Sequence, residues 1–158
     1  MANRYAAAYM QLVWAVKYRQ ALISEEIRED VQRHITHYFK KYGHEVIAIF
    51  CMPDHIHVLF KYYPTQAVSL LVQIAKSEST KMIKRLTRSD IMDWQDGYAL
   101  FTYSTDAVPD VKRYILRQRD HHDPERTFVG ELKRALEDAG EVFERKYFFT
   151  MPVDYEEG

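Results

Sequence analysis

At 158 residues the chain has room for a single domain with an adequate core, and 47% apolar with 28% charged residues is an ordinary globular balance. A formal net charge of −1 gives no sign of a globally basic chain, so any polyanion site has to be a local patch, while twelve tyrosines suit sheets and stacking on bases alike. The single cysteine, Cys51, excludes an intrachain disulfide or a cysteine zinc cluster and reads as a small buried apolar residue; no apolar run reaches the roughly 18 residues of a membrane span, and Met1-Ala2-Asn3-Arg4-Tyr5 is no signal peptide, so the expectation is a cytoplasmic protein with no membrane partner.

In chain order, residues 10–17 alternate, with Met10, Leu12, Trp14 and Val16 on one face and Gln11, Val13, Ala15 and Lys17 on the other, which predicts a strand closed by Arg19-Gln20. Ser24 before Glu25-Glu26-Ile27 reads as a helix N-cap with an acidic first turn. That helix runs to about Tyr42, with Ile27, Val31, His34/Ile35 and Tyr38 as its buried stripe, and Gly43 ends it. Residues 44–51 and 55–62 form two strands joined at Pro53-Asp54 as a tight hairpin. Pro64-Thr65 opens a long helix over 66–87, Asp93–Gly97 is a loop, and Tyr98–Ser104 a fourth strand. Pro109 suits the first turn of a helix over about 108–121, a last helix spans about 128–139 and stops at Gly140, and Lys146–Phe149 is a short strand candidate. The order strand–helix–strand–strand–helix–strand predicts an α+β fold of ferredoxin-like or RRM-like type, an antiparallel sheet with helices packed on one face, in a single domain whose core covers about 8–122. Such a sheet hosts many functions and selects none.

The centre of the chain is Phe50-Cys51-Met52-Pro53-Asp54-His55-Ile56-His57-Val58-Leu59-Phe60. Side chains alternate along a strand, so His55 and His57 share a face while Ile56 enters the core, and two imidazoles on a rigid strand can share one metal ion. An H-x-H is short, and two structural histidines read the same way. Downstream, Tyr114 and Gln118 stand at i, i+4 on the helix over 108–121, whose packing Val108, Val111, Ile115 and Leu116 can supply. On most helices such a pair is simply solvated. Beside a histidine pair, a glutamine oxygen can complete a His–His–Gln site, with the tyrosine one turn away as nucleophile. A phenol with pKa near about 10 needs an electrophilic phosphate, which a divalent metal supplies. Attack gives a 5′-phosphotyrosine and a free 3′-OH; the bond energy is kept, so the site suits cutting and rejoining a strand.

With these residues in place, the sequence resembles the HUH-type single-tyrosine transposases of small bacterial insertion sequences and their REP-associated relatives. The resemblance covers roughly residues 8–122 and rests on five stretches: Leu12–Arg19, Met52–Leu59, Lys76-Ser77-Glu78-Ser79-Thr80, Trp94-Gln95-Asp96-Gly97-Tyr98 and Val111–Gln118. It implies His55, His57 and Gln118 as metal ligands, Tyr114 as nucleophile, Mg²⁺ or Mn²⁺ as cofactor, single-stranded DNA with hairpin ends as substrate, and a homodimer. Imidazole by itself prefers softer ions such as zinc. The first helix departs from the family, being partly acidic at Glu25, Glu26, Glu29 and Asp30. Two rival readings are a ferredoxin-like nucleic-acid-binding module without catalysis and a domesticated relative that processes chromosomal repeats.

Basic residues concentrate elsewhere. Residues 73–88 carry a net +4, and Lys81, Lys84, Arg85 and Arg88 recur at helical spacing. With Lys76, and with Lys17 and Arg19 at a strand end, they are the expected DNA contacts. Residues 129–158 carry a net −4 and are expected to lie outside the DNA path. His34-Ile35-Thr36 matches the H-x-T of two-histidine phosphoesterases, but the second copy is missing, so His34 and His37 read as partly exposed helical residues and His121-His122 as a helix C-cap.

Overall fold

A computed structural model describes residues 5–118 and 128–141. Four strands, β1 (Ala8–Ala15), β2 (Glu45–Cys51), β3 (His55–Tyr62) and β4 (Ala99–Tyr103), form one antiparallel sheet in the order β2-β3-β1-β4. The helices are α1 (Glu25–Lys41), α2 (Val68–Thr87), α3 (Val108–Leu116) and α4 (Phe128–Asp138). With α1 and α2 as crossovers, the sheet is the split βαβ arrangement that the element order predicts.

The period of two divides the sheet into two unlike faces. Leu12, Trp14, Ile56, Val58 and Phe60 point to one side, where Val31, Ile35 and Phe39 of α1 and Leu71, Val72, Ala75 and Ile83 of α2 bury them. Phe39 meets Phe60 edge to face at 5.0 Å, and Trp14 meets Trp94 in the same way at 6.0 Å. The buried stripe of α1 is thus Val31, Ile35 and Phe39, with Tyr38 only half buried; adjacent aromatics compete for one position of a 3.6-residue period, and the sheet takes the phenylalanine. Arg28 is buried as well, and it donates through Nε to the Cys51 carbonyl at 2.9 Å.

Beyond the two crossover helices, the opposite face is covered too. There Ile115, Val108 and Val111 of α3 pack on Ala48 and Leu59, while Phe128, Leu132 and Leu136 of α4 pack on Val13, Ala15, Ala99 and Phe101. Phe128, Leu132 and Leu136 recur every four residues, the apolar stripe of a docked helix. The α3 helix ends at Leu116 rather than near 121: the Arg117 amide bonds back to both the Arg113 and Tyr114 carbonyls and tightens the last turn. Leu116, expected to pack, is half exposed, and Ile115 fills the core instead. Residues 119–127, with His121-His122, and the strand candidate 146–149 lie outside the described residues. No described helix is long and apolar enough to cross a membrane.

Candidate active site

His55 and His57 open β3, where register places His55 opposite Ala15 and His57 opposite Val13. They share the α3/α4 face, buried with 4% and 6% exposure, and their ring centroids stand 5.1 Å apart. The hairpin that presents them is pinned from the side: the Pro53 and Asp54 carbonyls accept from the Ile23 and Val16 amides, and Met52 N–H closes on the His55 carbonyl. Between β1 and α1, Tyr18 and Arg19 take left-handed backbone angles in a single turn, and Arg19 reaches Asp54 at 3.4 Å.

Each imidazole is held through Nδ1. Asp54 Oδ1 lies 2.7 Å from His55 Nδ1, and Gln11 Oε1 lies 2.8 Å from His57 Nδ1. Burial pushes the Asp54 carboxyl up, but the hydrogen bond and charge of His55, reinforced by Arg19, outweigh it and hold the group below its usual value. His57 is pushed well below an ordinary imidazole by burial first and by His55 second, so it is neutral at physiological pH. The Nε2 atoms of both rings are buried without a hydrogen-bond partner among the described residues, and so is Nε2 of Gln118. Imidazoles anchored at Nδ1 and bare at Nε2 are the donor set a divalent metal takes. Gln118 sits two residues past the end of α3, buried with 6% exposure, and joins that set when its amide oxygen is the atom presented. No cluster of three His, Cys, Asp or Glu exists among the described residues.

Tyr114 projects from α3 over the same face, its ring 6.2 Å from that of His57. Its hydroxyl donates to Glu131 Oε2 of α4 at 2.8 Å. Burial raises this phenol most, the Gln118 side chain draws it down, and the Glu131 carboxylate raises it again, leaving it pushed up to about 12. Phe128, at the start of α4, stacks on His55 at 3.7 Å with the rings nearly parallel. A cavity of about 310 Å³ lies beside these groups, bordered by Gln11, His57, Phe101, Tyr114 and Glu131.

The acidic stretch expected to lie outside the DNA path includes α4, whose apolar stripe docks it on the sheet and carries Glu131 to Tyr114. Gln11, Asp54 and Glu131 were not singled out by sequence reasoning. Gln11 left a trace there as a polar residue in an alternating strand, and Asp54 as the turn residue next to His55.

The structure brings His55, His57 and Tyr114 together but scatters the basic residues. Lys17 pairs with Asp93 at 3.6 Å and Arg19 with Asp54. The Lys76 ammonium donates to the Gln95 and Gly97 carbonyls, each at 2.7 Å, and so staples α2 to the loop beside β1. Lys81 pairs with Glu78 at 3.1 Å, while Lys84 and Arg85 lie in the last turn of α2. Since α2 packs on the other face of the sheet, its basic stripe and the histidine pair are on opposite sides. His34 is half buried and His37 exposed on α1, as expected for helical bystanders.

A ferredoxin-like sheet presenting an H-x-H pair and a tyrosine from one face is the architecture of the single-tyrosine transposases. The chain belongs to the IS200-like transposase family, whose sequence model matches residues 4–118. It is 27% identical over 117 residues to the ISDra2 transposase TnpA of Deinococcus radiodurans, a match covering 69% of this chain and 82% of the relative. Among solved structures it resembles a crystal structure described as a transposase of Deinococcus radiodurans R1, with TM-score 0.58, 22% identity, and coverage of 75% of this chain and 96% of that one. It also resembles a REP-associated tyrosine transposase bound to a REP hairpin, with TM-score 0.55, 15% identity, and coverage of 77% and 73%. At those identities the two structures speak for the fold alone. The matched family region ends at Gln118, before α4.

Proposed function

We propose that the protein is a metal-dependent transposase that cleaves and rejoins single-stranded DNA at hairpin-bearing ends through a covalent bond between Tyr114 and a 5′ phosphate. The observation that supports this reading best is the pair of buried, unpartnered Nε2 atoms on two rings anchored at Nδ1, with a tyrosine hydroxyl on the same face. His55, His57 and the Gln118 amide would hold a magnesium or manganese ion, which when bound supplies polarisation of a phosphate oxygen. Tyr114 Oη attacks phosphorus, the P–O3′ bond breaks, and the departing 3′ oxygen takes a proton from solvent water to become a hydroxyl. The phenol's proton passes to Glu131, whose carboxylate already accepts its hydrogen bond. Rejoining is the reverse, with a 3′-OH displacing the tyrosine. The hairpin-bound relative supports a hairpin substrate, and a second copy of the chain is the partner that the sequence resemblance implies.

The test is incubation with labelled single-stranded hairpin DNA from the gene's own flanks plus Mn²⁺, followed by a denaturing gel. The expected result is a slow, protease-sensitive adduct that is lost in Tyr114→Phe and in His57→Ala. Hairpin binding with no adduct from the wild-type chain, on the correct flanks with metal present, overturns the catalytic reading in favour of a binding module.

A further inference from the structure

We propose that Gln11 is a positioning residue that dictates which nitrogen of His57 is left bare for the metal. The inference rests on reading His55 and His57 as metal ligands. Gln11 lies on β1 two residues from Val13, the register partner of His57, so its side chain stands diagonally across from the imidazole on the same face. It is buried, with 6% exposure. Its amide nitrogen donates to the Tyr103 hydroxyl at 2.6 Å, which leaves the amide oxygen, at 2.8 Å, as the atom facing His57 Nδ1.

With the amide oxygen on Nδ1, the proton has one place to go. An amide oxygen only accepts, so Nδ1 must carry the proton, and a neutral imidazole has a single ring proton to place. Nε2 is then a bare lone pair, and it is the atom that is buried without a partner. The opposite tautomer would set two lone pairs against each other at Nδ1 in a buried site. Tyr103 accepts from the –NH₂ end of the amide, which turns the oxygen toward His57. The relay thus spans three adjacent strands, Tyr103 on β4, Gln11 on β1 and His57 on β3.

The two ligands are held unequally. His55 leans on the Asp54 carboxylate, its neighbour in the chain, whereas His57 leans on a neutral amide 46 residues away. A carboxylate makes an imidazole more basic than an amide does, so His57 is the weaker of the two donors and the one whose tautomer depends on a distant strand.

The test uses the full chain. In metal-free protein, ¹⁵N NMR of the His57 ring should show the Nδ1–H tautomer in the wild type, a mixture in Gln11→Met, and Nδ1–H again in Gln11→Glu, which keeps an acceptor oxygen at the same reach. Mn²⁺ titration by calorimetry should show Gln11→Met binding about 10–100-fold more weakly, the range for loss of a residue that orients a ligand, with Gln11→Glu restoring most of it. Tyr103→Phe keeps the ring packing and frees the amide to turn, so it should admit the Nε2–H tautomer even if Gln11→Met folds poorly. Wild-type tautomer and wild-type Mn²⁺ affinity in both Gln11→Met and Tyr103→Phe overturn the proposal. If wild-type protein binds no Mn²⁺ while the tautomer still follows Gln11, it is the metal reading that falls, and the positioning of His57 stands.

Discussion

Tyr114 keeps its proton far above neutral pH because its ring is buried and because its hydroxyl already serves Glu131. In the proposed role of nucleophile it needs its proton removed during attack, which separates two effects of one substitution. Glu131→Gln should lower the phenol's pKa, since a raising neighbour is gone, and yet slow adduct formation, since the proton acceptor is gone as well. The first is read from the ultraviolet titration difference between each protein and its Tyr114→Phe partner, the second from the gel; faster adduct formation would show that Glu131 restrains the tyrosine instead. His44 makes a simpler residue-scale case. Burial lowers its pKa, with Gln66 acting the other way, and its Nδ1 accepts from the Tyr63 amide at 3.2 Å. The folded value lies below the unfolded value of about 6.5, so the unfolded chain takes up the proton first. The stability tied to neutral His44 is therefore full above about pH 6.5 and is lost as pH falls toward the folded value. Urea midpoints should drop between about pH 7.5 and 5.5, and His44→Gln, which keeps an acceptor without a titration, should shrink that drop.

At the scale of elements, what was legible in the sequence is what strand periodicity dictates. His55 and His57 had to share a face once residues 55–62 were a strand, and Ile56 had to be core. The end of α3 was not legible, because the turn at Arg117 is decided by which carbonyl its amide reaches, a matter of backbone geometry with no side-chain signature. The docking of α4 was equally hidden: an amphipathic stripe says that a helix will bury a face, not against what. Its position has a measurable consequence. Leu132→Asp places a charge at a site with 4% exposure, so α4 should detach, and the Tyr114 phenol should fall from about 12 toward the ordinary value of about 10. On α2, Lys84 and Arg85 lie on the face away from the histidines. If they grip single-stranded DNA, the slope of log affinity against log salt should flatten by about 0.7 for each of the two replaced by alanine, with cleavage chemistry unchanged once DNA is saturating.

Taken whole, the molecule is held by the layer between the sheet and the α1/α2 pair, and the face that bears His55, His57 and Tyr114 is on its other side. Phe39→Ala should cost about 3–5 kcal/mol in urea unfolding, since a fully buried ring leaves a cavity against Phe60. Leu116→Ala, at a half-exposed position, should stay within about 0.5 kcal/mol. The outer edge of this sheet carries one more consequence. As one terminal strand of the described sheet, β2 has a row of backbone groups that no described strand takes up, the kind of template on which a second chain can add and a fibril can grow. At Cys51 that template is already occupied: Gln32 Oε1 accepts its amide proton and Arg28 caps its carbonyl. A register shift between Val46 and Ala48 breaks the regularity of the strand further along. Two side chains of α1 and one irregularity thus blunt this edge against edge-to-edge pairing.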